Sequence, residues 1–280
     1  MLQVYLKAEN LKFRHSLFRK LTIFIPLVLI LVSMVFMFVG IGLGGFSSSI
    51  VCNWSMPISS LSIMFLCHQV NNKEKKHKYR TLYSLPIDLK KTFISKTILI
   101  ALNLLVISLL LSFISIISEF ILSGFSVATE YIGYYILGYI LLWISLLWQI
   151  PLCLFLDQKV GFIVSMILSL FASALGGLFF ALTPLFWIFP YSWTARFMTT
   201  LFGVLPNGLL VESGSRYILS LGQSSLLVLI SLFTIVALTV LFSNWYRKQV
   251  YRKWQFWESL FLTLSNSNGL PFFYYICYRL

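Results

Sequence analysis

Residues Tyr131–Leu182 read YIGYYILGYILLWISLLWQIPLCLFLDQKVGFIVSMILSLFASALGGLFFAL. A single helix of that length, rising about 1.5 Å per residue, would reach well over twice the roughly 30 Å thickness of membrane hydrocarbon. Asp157-Gln158-Lys159 interrupts the run. A charge at mid-membrane costs about 2.5–3.5 kcal/mol even on the mildest scale. The stretch therefore reads as two apolar helices that turn at an interface.

Working outward, six segments reach the roughly 20 residues a crossing needs. They are Leu21–Val39, Ile50–Val70, Thr97–Ile117, Tyr131–Leu156, Val160–Leu182 and Ser224–Ser243. The chain has 280 residues, 59% of them hydrophobic and 10% charged, with a mean hydropathy of +0.90. A water-soluble domain of this size could not hide so much apolar surface, so lipid is the solvent the composition implies. The fold class expected is an all-α polytopic membrane protein with six transmembrane helices.

Basic residues set the expected orientation. Of the 21 lysines and arginines, all but Arg196 and Arg216 fall in the amino-terminal arm, the second and fourth connections, and the tail. Both termini are then expected in the cytoplasm, consistent with an even number of spans. A net charge of +13 could suggest nucleic acid, but clustering beside span ends points to topology and anionic lipid instead. Cys52, Cys67, Cys153 and Cys277 are scattered without a CxxC, which supports neither a disulfide framework nor a zinc site. The first span follows a basic stretch, as a signal peptide would. It is long and lacks a small-x-small cleavage site, so it reads as retained.

Met1–Lys20 mixes basic and apolar residues, as suits an interfacial helix before the first span. The cluster Gly40-Ile41-Gly42-Leu43-Gly44-Gly45 reads as an outer turn, or as a GxxxG seam through Gly40 and Gly44. Ser165, Ser169, Ser173 and Gly177 recur every four residues and share one helix face. Small residues on a stripe admit close helix approach, either within the chain or between subunits. Residues 183–223 on the outer side hold Pro184, Trp187, Pro190, Tyr191, Trp193, Arg196 and Pro206. The stretch is too apolar for a solvated loop, and its prolines break it into pieces. Two re-entrant outer helices are expected there, with Trp187, Tyr191, Trp193 and Arg196 as the candidate substrate-facing residues. Beyond the domain at 1–253, the tail 254–280 carries Trp254, Trp257, Phe261 and Leu264 on one amphipathic stripe.

The connection from Asn71 to Lys96 is the largest cytoplasmic element expected apart from the tail. Pro86 suits the first position of a new helix, and Asp88 would then lie in its first turn, where the helix dipole favours an anion. Tyr79, Leu82 and Tyr83 fall on one face of a short helix. An apolar face framed by charge is either a docking knob for another protein or a helix resting on headgroups. Glu74 through Lys96, with Thr81, Leu82, Leu85-Pro86-Ile87 and Lys96, resembles the first cytoplasmic loop of type-2 ABC-transporter permeases. In that family the loop is a coupling helix seated in a cleft of the ATPase. The plan is similar too: an amino-terminal elbow helix, six spans, and re-entrant helices before the last. Tyr5-Leu6-Lys7-Ala8-Glu9-Asn10-Leu11-Lys12 and Pro190-Tyr191-Ser192-Trp193 resemble the lantibiotic-immunity subgroup. Tyr79 stands where many relatives carry a small residue, and the tail beyond Trp254 departs from their short ending.

The resemblance implies Glu74, Tyr79, Thr81, Leu82, Tyr83, Leu85 and Pro86 as ATPase-coupling residues. It implies an ABC ATPase partner that binds ATP and magnesium, a second homologous permease or a second copy, and a bacterial cell membrane. The implied function is expulsion of lantibiotic-type peptides from that membrane. The alternatives are export of another drug or lipid, or a non-transport immunity protein that binds a toxin directly. No P-loop signature, HExxH or ligand cluster occurs, so no cofactor, metal or catalytic residue is expected on this chain. His15, His68 and His77 read as isolated, Glu119 and Glu130 as solvated, and Asp157 as a turn residue.

Overall fold

The computed structural model describes residues 2–14, 16–38, 45–76, 88–123, 125–212 and 215–265. Among them the structure is helical, apart from turns and one isolated bridge between Val204 and Leu210. The helices are α1 (Leu2–Lys12), α2 (Leu17–Phe38), α3 (Phe46–Asn53), α4 (Ser59–Lys76), α5 (Leu89–Ser123), α6 (Phe125–Leu146), α7 (Gln149–Lys159), α8 (Phe162–Leu175), α9 (Tyr191–Phe202) and α10 (Leu221–Ser265).

Six stretches are long and apolar enough to cross a membrane: Leu17–Phe36, Phe46–Lys75, Leu89–Ile121, Ile132–Lys159, Phe162–Phe180 and Leu221–Lys248. They coincide with the six expected segments and mostly extend them by several residues. The chain has the architecture of a multi-pass membrane protein. The second stretch is central, with 67% of its most apolar part buried against 17% for the last. α2, α8 and α10 instead turn Leu27, Leu31, Ile167, Phe171, Phe233 and Val236 outward, as lipid-facing helices do.

The charged interruption in the opening run ends α7 at Lys159, and Gly161 follows at φ 91°. Only glycine adopts that backbone without strain, so the sharp return into α8 falls there. The fourth span is itself kinked. α6 stops at Leu146, a turn at Leu147-Trp148 follows, and Pro151 sits in the first turn of α7. An N–H is dispensable in that position.

Two π-helical turns also interrupt spans. Trp54–Ile58 joins α3 to α4 and contains Pro57, which has no N–H to give the preceding turn. Gly176–Phe180 ends the fifth span. The two turns meet: Ser173 Oγ donates to the carbonyl of Met56, and a Cβ at Gly177 would collide with the Met56 side chain. The serine stripe thus packs within the chain. Ser165, Ser169 and Ser173 are buried, and Ser169 Oγ lies 3.8 Å from Cys153 Sγ on α7.

After the second π turn, a 3-10 turn (Pro184–Trp187) and α9 fold back over this end of the bundle. Gly203, left-handed at φ 62°, closes α9. α10 runs unbroken to Ser265, so the stretch from Trp254 continues the last helix. The glycines 40–44 lie outside the described residues, as does the tail from 266.

Candidate functional site

One end of the bundle gathers the basic residues. α1 ends there at Lys12, α4 at Lys76, and α5 begins there at Leu89. α5 starts later than expected. Asp88 is not in the first turn but caps it: its Oδ1 accepts the Lys90 N–H at 3.0 Å, and its Oδ2 faces Lys91 Nζ at 3.3 Å. A short carboxylate competes well for those unpaired N–H groups. Desolvation pushes the Asp88 carboxyl up, but the hydrogen bonds from the Lys91 side chain and the Lys90 and Lys91 N–H groups, with the Lys91 charge, together outweigh it and leave it below its ordinary value. The backbone N–H of Asp88 donates to Tyr5 Oη at 3.2 Å, so the cap also touches α1.

Behind the cap lies a buried ionic node. Glu74 on α4 accepts from Lys12 Nζ at 2.9 Å through Oε1, while its Oε2 accepts from Lys96 Nζ and from Tyr246 Oη at 3.1 Å. Lys96, on α5, is fully buried, a rare state for a lysine without partners. Its ammonium also lies 5.1 Å from the Tyr246 ring centroid. Four elements, α1, α4, α5 and α10, are joined through one carboxylate.

Two further contacts complete the arm's seat. Lys73 Nζ donates to the Lys12 carbonyl at the end of α1 and lies 4.6 Å from the Phe13 ring centroid. Glu9 is buried, 3.6 Å from Lys12. Burial pushes the Glu9 carboxyl above its ordinary value. Lys12 and Lys96 pull it back, and Glu74 adds to the rise.

A second polar cluster sits on the neighbouring side of α4. His68 Nδ1 lies 3.0 Å from Asp157 Oδ1, and Asn71 Nδ2 donates to Asp157 Oδ2 at 2.9 Å and to the Leu154 carbonyl at 3.1 Å. Gln158 Nε2 donates to Asn71 Oδ1 at 3.0 Å. His68 also packs against Phe162, with ring centroids 4.2 Å apart and the planes tilted by 33°. His68 and Asp157 read as an isolated histidine and a turn residue; the fold makes them partners across 89 positions. Glu119, read as solvated, accepts from Ser47 Oγ and from Tyr135 Oη. No sequence signal pairs such distant residues before the helices are placed.

Among the residues assigned to coupling, Glu74 is the one described, and it points into the bundle. Tyr79, Thr81, Leu82, Tyr83, Leu85 and Pro86 lie outside the described residues. The stretch that contains them is bounded on both sides by the clamped helices α4 and α5.

The residues assigned to the outer region hold α9 down. Trp193 is buried and donates Nε1–H to the Phe186 carbonyl at 2.9 Å. Arg196 is 7% exposed, donates to the Ala181 carbonyl at 3.2 Å, and lies 4.9 Å from the Phe186 ring centroid. Tyr191 meets Trp148 edge-on at 4.8 Å. Trp187 is half-buried and packs on Phe186 at 4.6 Å. Beside them, Leu185 and Ile188 are exposed.

No family model, curated protein or solved structure matches this chain. Among the described residues no group of three or more His, Cys, Asp or Glu side chains could hold a metal ion.

Proposed function

We propose that the chain is the non-catalytic permease subunit of an ATP-driven exporter in a bacterial cell membrane, with both termini cytoplasmic. Its partners are an ABC ATPase, which binds ATP and magnesium, and a second permease, either related or identical. Its cargo is a membrane-bound antimicrobial peptide of the lantibiotic type. Three finer features belong to this reading: α1 as an elbow helix, residues 77–87 as a coupling helix, and α9 with the preceding 3-10 turn as re-entrant outer helices.

The observation that carries the reading is the clamp on the two helices flanking residues 77–87. Glu74 and Lys96 stand on either side of that connection and are bonded to each other, to Lys12 and to Tyr246. A push on the connection therefore reaches the arm and the last span together. A lever needs such a base if nucleotide-driven closure of an ATPase is to favour one permease state over another, because only differential contacts shift such an equilibrium.

The test is affinity isolation of the full chain from gently solubilised membranes. An ATPase subunit and a six-span chain should co-purify, and Leu82→Asp should release the ATPase and abolish peptide tolerance while membrane insertion stays normal. Isolation of a fully protective chain with no ATPase would overturn the reading. Protection that survives inactivation of the ATPase would favour direct toxin binding.

A further inference from the structure

Between α2 and α8 the bundle leaves a cleft of about 280 Å³. Phe36 of α2, Met56 and Pro57 of the first π turn, Ala174 and Leu178 of the fifth span, and the turn at Pro206–Gly208 line it. Its size is near the lower end of known ligand pockets, which begin at about 300 Å³.

Two properties narrow what can enter. First, the rim is continuous with the lipid-facing surface: Phe36 and Leu178 are exposed, as are Leu31 and Val35 on α2 and Phe171 and Phe179 on the fifth span. An occupant enters from hydrocarbon. Second, the polar side chains of the lining are engaged within the protein. Ser49 Oγ donates to the Gly45 carbonyl at 3.1 Å, Cys52 Sγ to the Pro206 carbonyl at 3.8 Å, and Asn53 Nδ2 to Ser33 Oγ at 3.3 Å. What remains for an occupant is a mainly apolar wall. Polarity returns at the mouth, where Asn207 is exposed and its Oδ1 accepts the Leu209 N–H at 3.1 Å.

We propose that the cleft is a binding site for one acyl chain of a bilayer phospholipid, with the headgroup at the Asn207 turn. The volume holds roughly nine groups of methylene size, at about 30 Å³ each, the share of a small molecule in a liquid. The gain is not hydrophobic transfer, since lipid tails are as apolar as the wall. It is the packing contact that an unfilled cleft would deny its lining. The site is independent of which cargo the chain carries.

The experiment reconstitutes the full chain in nanodiscs of phosphatidylcholine carrying a diazirine in the middle of one acyl chain. Crosslinks are mapped by mass spectrometry. Per residue, the segments 49–57 and 174–178 should be labelled about fivefold above the lipid-facing stretch Leu229–Val236 on α10. Ala174→Leu fills the cleft and should return those segments to the α10 level without changing α10. A second readout needs no folded variant. The half-buried Cys52 thiol of the wild-type chain should react more slowly with a membrane-soluble maleimide as the phospholipid-to-detergent ratio rises. Equal labelling of the cleft and α10 overturns the site, as does a Cys52 rate indifferent to phospholipid. Labelling by a diazirine fatty acid but not by the phospholipid overturns its occupant.

Discussion

The two ends of this bundle are held by different physics. At the basic end, four helices converge on Glu74, and cohesion comes from charges withdrawn from water. At the capped end, some eighteen residues or about 27 Å back along the second span, α9 and the two π turns are held mainly by close approach. Gly176 leaves room for the Tyr191 backbone, which a Cβ would meet at 2.7 Å, and Gly138 leaves room for the Phe202 ring at 2.5 Å. Charge tolerates small shifts in distance but not loss of a partner. Steric fit tolerates polar changes but not added volume.

Substitutions that remove charge without volume, or add volume without charge, separate the two ends. The largest effect is expected from Lys96→Met, which leaves Glu74 buried without its closest cation. Removing one partner of a buried pair costs about 3–5 kcal/mol, read as a lower midpoint in thermal unfolding of the detergent-purified chain. The double variant Glu74→Gln with Lys96→Met should recover more than half of that loss, because no uncompensated carboxylate remains. If the double variant is no better than the single one, the node is a packing site like the other end.

At the capped end, Gly177→Leu should cost about 1–3 kcal/mol by forcing Met56 from its place, whereas Ser173→Ala, which removes a hydroxyl and adds no volume, should cost about 1 kcal/mol. The same thermal assay orders them, and the reverse order would refute the steric account. Arg196→Met keeps the length of the side chain and loses the Ala181 hydrogen bond and the Phe186 contact, for about 1–2 kcal/mol. Limited proteolysis near residues 203–212 should report it as looser docking of α9.

The smallest effect is pH-dependent. Burial raises the Glu9 carboxyl above its ordinary value. The stability tied to its proton is therefore complete below the unfolded value of about 4.3 and is lost as pH rises through the folded value. Glu9→Gln should remove that part of the pH dependence and raise the unfolding midpoint at pH 7.5 relative to pH 4, compared with wild type. A pH profile unchanged by the substitution would place the charge of Glu9 in water.

The spans were readable because each needs only local composition. Apolar length names a crossing, and Asp157-Gln158-Lys159 inside one long run marks a return. The face that carries Ser165, Ser169, Ser173 and Gly177 was readable for the same reason, since a four-residue period lies within one helix. Its partner was not: Met56 is more than a hundred positions away. The basic residues were legible as a group but not as pairs. Lys96 looked like one of eight cations in a connection, yet it is the one withdrawn from water, because α4 brings Glu74 to it across 22 positions. His68 and Asp157 were unreadable for the same reason. The residues assigned to an outer region stand out in the sequence by their chemistry, and the fold uses Trp193 and Arg196 to seat α9.

The seating of α1 has a consequence for handling the protein. Peripheral arms held by surface charge detach when ionic strength is raised, because mobile ions screen exposed pairs over about 10 Å at 0.1 M. Here Lys12, which ties the arm to the node, is 32% exposed, but the Glu74 carboxylate it meets is 5% exposed, and Glu9 on the arm and Phe13 just beyond it are buried as well. High-salt washing should strip adsorbed contaminants from the purified chain and leave its amino-terminal arm in place.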